Sequence, residues 1–340
     1  MTFFRLFLFP FAILYSTLTS FRNFLFNIKL FKSISYENPT IGIGNLSVGG
    51  TGKSVCVDYV VSLLKQNHAI TILSRGYGRA SKGFVEVTDK STAKNVGDEP
   101  LMLSLKHPEV RVGVAEKRRV GMDQLLKYST KDSVFVWDDC FQHRWVNPRL
   151  MILLTSYKHL FVDDFHLPLG NLRELSLGKK RANVVIVTKC PKNMSDEERN
   201  KITQKLGLSK TQYLFFAQIK YSVHIKNFDC SLPVSNIEKS PFLLVTGISD
   251  PTPLKNYLEG IGCKFEHLKF SDHHNFTQKD ADMINKKSNN QMILTTEKDF
   301  VRLNPILSSN VLFYLPIEME FFPDDKERFD KIIATTASTK

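Results

Sequence analysis

Short apolar runs alternate with longer, partly polar segments along most of the chain. Six runs precede residue 190, namely 41–43, 69–73, 110–114, 133–137, 150–154 and 183–187. Helix-length segments separate them, and this alternation predicts a mostly parallel sheet with helices on both faces. A second set of strands and helices begins near residue 242 and continues through 292–295 and 311–315, which predicts a smaller α/β domain.

The segment between these two sets alternates with the period of a strand. Residues 214–228 carry apolar side chains at every second position around Phe215, Ala217 and Ile219, which predicts strands that link the two halves. We expect a helical segment over 1–31, a large α/β domain over 32–213, linker strands over 214–228 and a smaller α/β domain over 229–340. A cleft is expected between the two α/β domains.

The first 31 residues form the most hydrophobic part of the chain. Between Arg5 and Arg22 lie 16 residues, of which four are Ser or Thr, whereas a membrane-spanning helix needs about 20 mostly apolar residues. Phe and Leu interleaved with Arg5, Arg22 and Lys29 are typical of a helix that lies in the membrane interface. We therefore expect an N-terminal membrane-associated helix. A true span and packing on the protein's own core are the alternatives.

Charge and cysteine content narrow the range of partners. Lysine and arginine outnumber aspartate and glutamate by 46 to 34, which gives a formal net charge of +12. This excess favours an anionic partner, such as a nucleotide, a nucleic acid or an acidic membrane surface, without choosing among them. The five cysteines are scattered and form no Cys-x-x-Cys pair, so the sequence indicates neither a zinc site nor a disulfide framework. Scattered thiols favour a cytosolic protein.

One glycine-rich stretch, GIGNLSVGGTGKSVCVDYVVSLLK at 42–65, carries a phosphate-binding signal. It ends like a nucleotide-binding P-loop, in Gly-Lys-Ser at 52–54, but Ser47 stands where the pattern G-x-x-x-x-G-K-[ST] has its first glycine. A strand-like run at 39–44 precedes the loop and an apolar helical pattern at 53–65 follows it. Strand, glycine-rich loop and helix are the context that a P-loop requires. A chance glycine-rich turn is the alternative.

The chemistry of such a loop requires backbone amides, a cation and a hydroxyl. Glycines let backbone N–H groups turn toward a phosphate, Lys53 reaches the terminal phosphates, and the Ser54 hydroxyl can ligate Mg²⁺. Serine in place of the first glycine removes no phosphate ligand. The residues predicted to bind the nucleotide are Ser47, Val48, Gly49, Gly50, Thr51, Gly52, Lys53 and Ser54.

A second strand supplies the carboxylate that a P-loop enzyme uses for its metal. The segment SVFVWDDCFQHR at 133–144 contains an apolar run that ends in Asp138 and Asp139. A strand-end carboxylate beside a P-loop holds Mg²⁺ in many NTPases. A pair of aspartates that caps a turn is the alternative.

Seven motifs follow one another along the chain. They are GNLSVGGTGKS (44–54), LSRGYGR (73–79), VGDEP (96–100), DDCFQHR (138–144), PLGNLRE (168–174), SDHHNF (271–276) and TTEKD (295–299). In these motifs and in their order the chain resembles the tetraacyldisaccharide 4'-kinases, or lipid A 4'-kinases, over most of its length. Ser47 is itself a trait of that family. Val55 and Asn171 stand where the family has proline, and Cys140 replaces a glycine that would allow close approach to the metal.

The resemblance implies a P-loop NTPase-like fold and a defined reaction. The γ-phosphate of ATP, with Mg²⁺ as cofactor, would pass to the 4'-hydroxyl of a tetraacyldisaccharide 1-phosphate, giving the 1,4'-bisphosphate of lipid A biosynthesis. It implies a glycolipid partner and a position at the cytoplasmic face of the bacterial inner membrane, where an interfacial helix would meet a lipid acceptor. We expect a monomer with no nucleic-acid partner.

The resemblance assigns general-base chemistry to Asp98 and His273, which would draw the proton from the attacking sugar hydroxyl. A carboxylate that orients a histidine and keeps it basic suits this task. On sequence alone Asp98 fits equally well as a helix N-cap, because Pro100 marks a first helical turn. His274 is the alternative to His273, which directly follows Asp272 as the family pattern requires.

Further site residues come from the same motifs. Mg²⁺ is expected at Ser54, Glu99 and Asp138, directly or through water. The residues predicted to contact substrate are Arg75, Arg79, Asp139, His143, Arg144, Arg173 and Glu174. Asp139 would serve either the metal or the substrate, and Arg144 would either stabilise the transferring phosphoryl group or pair with the two aspartates. A solvated loop is the alternative for the two arginines of LSRGYGR. No role is assigned to the lysine and aspartate of TTEKD.

Two other classes of protein fit parts of the sequence. A P-loop GTPase switch or metal-insertion chaperone is suggested by VTKCP at 187–191, but Pro191 occupies the position of the aspartate that reads guanine in [NT]-K-x-D. A nucleic-acid ATPase is suggested by the basic charge. No basic run with interleaved aromatics stands out to support it.

Overall fold

The computed structural model describes residues 8–238, 240–307 and 311–338, and within them the chain folds into helices and strands as follows. The helices are α1 (Phe9–Asn27), α2 (Lys53–Leu64), α3 (Ala93–Val96), α4 (Asp98–Lys106), α5 (Arg118–Leu125), α6 (Asp196–Leu206), α7 (Ser235–Glu238), α8 (Thr252–Gly260), α9 (Gln278–Ser288), α10 (Glu297–Leu307) and α11 (Pro323–Ser338). The strands are β1 (Thr40–Asn45), β2 (Ile70–Ser74), β3 (Val85–Glu86), β4 (Arg111–Val114), β5 (Val134–Trp137), β6 (Leu150–Ser156), β7 (Val184–Thr188), β8 (Tyr213–Tyr221), β9 (His224–Lys226), β10 (Ser231–Pro233), β11 (Phe242–Thr246), β12 (Phe265–Lys269), β13 (Ile293–Thr296), β14 (Leu312–Leu315) and β15 (Ile317–Phe321).

The predicted parallel sheet is confirmed and has nine strands in the order β15-β8-β7-β6-β1-β5-β2-β4-β3. The seven inner strands run parallel, and only the two edge strands, β15 and β3, pair antiparallel. Every residue of β1, β2, β5, β6 and β7 is buried, as expected of strands covered by helices on both faces. The apolar runs of the sequence are these strands.

The order of the strands fixes where a ligand can bind. β1 lies between β5 and β6, so the chain reverses its direction of winding at β1. In doubly wound sheets the crevice at the carboxyl end of such a strand is the binding site. The glycine-rich loop follows β1 at that point, and the aspartate pair follows β5 next to it.

A second sheet forms the core of the predicted smaller α/β unit. Its six strands lie in the order β10-β9-β14-β13-β11-β12. The four strands from β14 to β12 are parallel, whereas β9 and β10 are antiparallel additions. Buried apolar residues pack on both of its faces, for example Leu244 on one and Ile293 on the other.

The chain divides differently from the expected boundaries at its carboxyl end. Residues 229–340 were expected to stay in the smaller domain, but β15 pairs with β8 at the edge of the large sheet. α11 follows it back, and Phe329 stacks on Phe321 and meets Phe215 edge to face. β8 is accordingly a strand of the large sheet as well as part of the predicted linker. Burial of these aromatic side chains against the larger core explains the return.

Helix α1 lies against the large domain and leaves much of its apolar surface exposed. Ala12 and Phe26 are buried, and the Tyr15 hydroxyl donates to the Arg173 carbonyl oxygen at 2.9 Å. Its exposed large apolar residues, together with two just beyond its end, are Phe9, Phe11, Ile13, Leu14, Leu18, Phe21, Phe24, Ile28 and Leu30. Among the described residues, no helix is long and apolar enough to cross a membrane. Residues 1–7 of the predicted segment, which include Arg5, lie outside the described part of the chain.

Candidate active site

The loop between β1 and α2 has the shape of a phosphate cradle. Gly49 and Gly52 adopt φ angles of +102° and +87°, which residues with a Cβ rarely adopt. Asn45 donates from Nδ2 to the Thr51 hydroxyl at 2.8 Å and accepts from Lys53 Nζ at 3.3 Å. The first turn of α2, which the structure describes in full, contains no acidic residue. The loop leads into the amino end of α2, so the positive end of the helix dipole faces the loop, and no acidic side chain in the first turn offsets it.

Asp138, directly after β5, has an unsatisfied carboxylate oxygen. Its Oδ2 accepts from the Ser74 hydroxyl at 2.8 Å, while Oδ1 is buried without a hydrogen-bond partner among the described residues. Burial, together with the negative charges of Glu99 and Asp139, raises the pKa of Asp138 to about 6. A cation beside the unpartnered oxygen would remove this electrostatic cost.

Asp139 holds two cations of the site in place. Its carboxylate lies 2.9 Å from Arg173 and 3.6 Å from Lys53 Nζ. Burial opposes ionisation of Asp139, but the charges of Lys53 and Arg173 prevail and its pKa falls well below the ordinary value. Asp139 has a positive φ of 46°, and its carboxylate faces Lys53.

Glu99 joins the predicted metal residues at the start of α4. Its carboxylate lies near Ser54 and Lys53, which both lower its pKa, and its charge raises the pKa of Asp138. Glu99 is also ion-paired with Lys298 of α10. Burial raises the pKa of Glu99 most strongly, but Lys298, Lys53 and Ser54 together outweigh it and the pKa is lowered.

The structure brings Asp98 and His273 together across the two sheets. His273 Nδ1 lies 2.8 Å from Asp98 Oδ2, and Arg302 of α10 lies 3.7 Å from the same oxygen. Gly97 takes the N-cap position of α4 and Asp98 is the first helical residue, so Asp98 is not the N-cap. The hydrogen bond that the Asp98 carboxylate accepts from His273 raises the pKa of His273, against a smaller lowering by burial.

His274, the alternative histidine, points elsewhere. Its Nε2 lies 3.2 Å from Asp280, the capping-box residue of α9, and its ring packs between Phe270 and Phe276. These contacts belong to the fold of the smaller domain. The geometry therefore favours His273 for chemistry.

Some predicted substrate residues are used by contacts with helix α1. Arg144 donates to the Asn23 carbonyl oxygen at 2.7 Å and stacks over the Phe26 ring. Glu174 is buried, accepts from Asn23 Nδ2 at 2.8 Å and pairs with Arg181 at 2.8 Å. The structure thus joins both residues to α1.

The remaining predicted substrate residues differ in their exposure and in the contacts that they already make. Arg79 is committed to Glu116 at 2.6 Å and to the Gly83 carbonyl oxygen, and these contacts close its own loop. Arg75 is exposed. Burial, helped by the charges of Arg118 and Arg75, lowers the pKa of His143 to about 3, so its imidazole is neutral. The Cys140 thiol packs in the core beside Gly42.

Three residues without a predicted role lie at the site. Arg118 is fully buried and donates to the Ala115 and Asp138 carbonyl oxygens at 2.8 and 2.5 Å, which fixes the aspartate turn. Lys189 follows β7 with a positive φ of 57°, and its Nζ lies over Gly50 of the glycine-rich loop. Lys298 reaches Glu99 from the smaller domain. The motif TTEKD drew attention to Lys298. No sequence signal pointed to Arg118, because it stands in a basic run that is typical of a solvent-exposed surface.

A glycine-rich loop at the switch point, two strand-end aspartates and a histidine–carboxylate pair formed between the two sheets are typical of a P-loop phosphotransferase. The model of one family, tetraacyldisaccharide-1-P 4'-kinase, matches residues 4–338. The chain belongs to that family. It is a kinase that uses ATP with Mg²⁺ in lipid A biosynthesis, as the seven motifs predicted, and not a GTPase switch.

Individual relatives agree with this membership. The chain is 46% identical over 326 residues to a tetraacyldisaccharide 4'-kinase of Flavobacterium johnsoniae, covering 96% of this chain and 95% of the relative. It is 40% identical over 347 residues to the enzyme of the same name from Bacteroides thetaiotaomicron, covering 96% and 91%. A crystal structure of the "apo" form of LpxK from Aquifex aeolicus in complex with ATP matches with a TM-score of 0.79 at 29% identity, covering 98% of this chain and 99% of that one.

Proposed function

We propose that Asp98 and His273 together take the proton from the 4'-hydroxyl of the disaccharide as it attacks the γ-phosphate of ATP. The observation that carries this proposal is the 2.8 Å contact between Asp98 and His273 Nδ1, made between the two sheets. With Nδ1 turned to the carboxylate, Nε2 is the nitrogen that accepts the hydroxyl proton. Asp98 orients the ring and stabilises the imidazolium that forms.

The metal and the phosphates would be held by the residues around the glycine-rich loop. Ser54, Glu99 and Asp138 would hold Mg²⁺, which neutralises phosphate charge when bound. One or two carboxylates with substrate phosphates are the usual protein environment of Mg²⁺, and the unpartnered Asp138 oxygen fits it. Lys53 and Arg173, which Asp139 holds in position, would bind the phosphates.

The acceptor would approach from the side of α1. Arg75 is an exposed arginine near His143 and would bind an anionic group of the glycolipid. Arg144 and Glu174 act by fixing α1 to the kinase domain, as their hydrogen bonds to Asn23 indicate. Arg79 acts by closing the loop that carries Arg75.

We further propose that α1 associates with the cytoplasmic face of the inner membrane as an interfacial helix of a monomeric enzyme. Its exposed Phe, Leu and Ile side chains would enter the lipid while Tyr15 and Asn23 face the kinase domain. A large domain over 32–221 and 317–338 and a smaller one over 224–315 would then share the site. This arrangement brings the catalytic residues to a lipid acceptor that stays in the bilayer.

The pH dependence of turnover tests the base. Neutral His273 is the active form, so kcat should rise with pH through the His273 pKa, which Asp98 holds above its ordinary value of 6.5. In Asp98→Asn the carboxylate charge is lost, so the acid limb should move to lower pH while the plateau falls. An acid limb at the same pH in both proteins would contradict the role of Asp98. His274→Gln is the control and should keep the wild-type profile.

Thermal unfolding tests the metal assignment. Because the folded-state pKa of Asp138 is raised from 3.8 to about 6, its contribution to stability is complete below pH 3.8 and lost as pH rises through about 6. Mg²⁺ should offset this loss, so the Tm increase that it causes should be large at pH 8 and small at pH 5. Asp138→Asn should raise Tm at pH 8 without Mg²⁺ by several degrees, since about 1 kcal/mol corresponds to roughly 2–4 °C. An Mg²⁺ effect on the variant equal to that on wild type would exclude Asp138 as a ligand.

Vesicle flotation tests the membrane role of α1. Leu14→Asp with Leu18→Asp should weaken binding to anionic phospholipid vesicles at least roughly 100-fold, since each buried leucine contributes about 1.5–3 kcal/mol. Val223→Asp, which alters an exposed apolar residue outside α1, should bind like wild type. Equal binding by all three proteins would show that α1 does not bind the membrane.

A further inference from the structure

The first two residues of helix α10, in the smaller domain, contact the two opposite ends of helix α4 in the large domain. At the carboxyl end, Lys106 of α4 lies 3.4 Å from Glu297 of α10 and 2.9 Å from Asp58 of α2. At the amino end, Lys298 of α10 is ion-paired with Glu99 of α4. Two lysines therefore bridge the same pair of helices, one at the active site and one at the opposite end.

The surroundings of the two lysines are different. The partners of Lys106, Asp58 and Glu297, have no part in the proposed chemistry, so its bridge is a contact between domains. Lys298 lies among active-site groups, because its charge interacts with Asp98 and Asp138 as well as with Glu99. A contact that only joined the domains would not need this position.

The partner of Lys298 is one of the proposed metal ligands. Glu99 lies near Ser54 and Lys53 of the glycine-rich loop, so the Lys298 ammonium paired with it lies at the edge of the phosphate site. A divalent cation and an ammonium at the same carboxylate repel each other, because like charges a few ångströms apart are poorly screened in a partly buried site. Glu99 can therefore serve one of them fully and not both.

From this conflict we propose that Lys298 is a displaceable cation that occupies Glu99 until a divalent metal takes that carboxylate, and that it then binds the phosphate of the nucleotide. The inference rests on the proposed assignment of Glu99 to the metal. Four flexible methylene groups let the ammonium exchange a carboxylate for a neighbouring phosphate without movement of α10. The smaller domain would thus supply a phosphate-binding residue in addition to His273.

Metal binding to the nucleotide-free protein tests the exchange directly. Mn²⁺ alone is titrated into wild type, Lys298→Met and the matched control Lys106→Met, and free Mn²⁺ is measured by electron paramagnetic resonance. Lys298→Met should bind Mn²⁺ roughly tenfold more tightly than wild type, a difference of about 1.4 kcal/mol, because the metal no longer displaces a cation. A misfolded protein would not gain affinity. Lys106→Met should bind like wild type.

The outcomes separate this inference from the proposal on which it rests. If Lys298→Met binds Mn²⁺ no better than wild type, or if both lysine variants change equally, the exchange is overturned. If Glu99→Gln in the Lys298→Met background keeps the tight binding, Glu99 is not the ligand and the metal assignment itself fails. With Mg²⁺ present, Lys298→Met should also lose the preference for ATP over ADP in equilibrium binding, and Lys298→Arg should restore part of it. An unchanged preference for ATP over ADP would show that Lys298 does not bind the phosphate.

Discussion

Lys53→Met is expected to lower the rate of phosphate transfer roughly 10³-fold, the scale of losing a cation aimed at a developing phosphate charge. Lys53 is the first residue of α2, largely shielded from solvent, and its Nζ is held by Asn45 at 3.3 Å and by Asp139 at 3.6 Å. A cation positioned before the nucleotide arrives stabilises the transition state without reorganisation of the site. The measurement is kcat with saturating ATP and Mg²⁺.

Lys65→Met is the matched control, because Lys65 follows the other end of α2 and pairs with Glu109 at the surface. Its kcat should remain within about a factor of two of wild type, because its partners Glu109 and His107 have no part in the proposed chemistry and a partly exposed ion pair contributes little. The variant Lys53→Met must retain the wild-type Tm for the comparison to count. A folded Lys53→Met protein with wild-type kcat would show that the glycine-rich loop does not hold the reacting phosphate.

Asp98→Ala and His273→Ala are each expected to lower kcat by roughly 10²–10⁴-fold, the range of a general base, with ATP affinity nearly unchanged. The two side chains contact each other and act as one unit. The double variant should therefore be hardly slower than the slower single variant, since effects within a unit are not additive. Single-turnover kinetics separate chemistry from nucleotide binding.

His274→Ala is the control for this pair, because its ring contacts Asp280 and two phenylalanines of the smaller domain. We expect a loss of stability with kcat preserved at a temperature where the variant is folded. Fully additive effects of Asp98→Ala and His273→Ala would contradict a joint role. A loss in His274→Ala equal to that in His273→Ala would reassign the base.

The large sheet and its glycine-rich loop could be predicted from the sequence because their signals are local. A strand buried on both faces is an uninterrupted apolar run. Val134–Trp137 and Val184–Thr188 are such runs, without the alternating polar residues of a strand exposed on one face. The loop is a fixed spacing of glycine, lysine and serine between a strand and a helix. Nothing from elsewhere in the chain is needed to recognise either.

Features that depend on contacts between distant segments were missed or divided wrongly. The strand at Ile317–Phe321 looks like any strand of the smaller domain, and only its pairing with Tyr213–Tyr221 returns it to the large sheet. Arg118 stands in a basic run, and its burial depends on carbonyl groups after β5. Lys298 was visible as part of a motif, but its partner Glu99 lies 199 residues earlier in the chain.

The same limit applies to the roles of predicted residues. Arg144 and Glu174 were expected to contact substrate because both stand in motifs shared with the family, Arg144 shortly after the aspartate pair and Glu174 in PLGNLRE. The structure shows α1 as their partner through Asn23, and this contact depends on how the helix docks. Composition cannot distinguish an arginine that binds phosphate from one that binds a helix.

The most direct test of the account is the fate of the label when the full chain acts on γ-³²P-labelled ATP and tetraacyldisaccharide 1-phosphate. With wild type the label should appear at the 4'-position of the disaccharide, and with His273→Ala at equal ATP occupancy it should be nearly absent from that position. Label that accumulates on the protein, or lipid labelled at the wild-type rate by His273→Ala, would contradict direct transfer assisted by the histidine of the smaller domain.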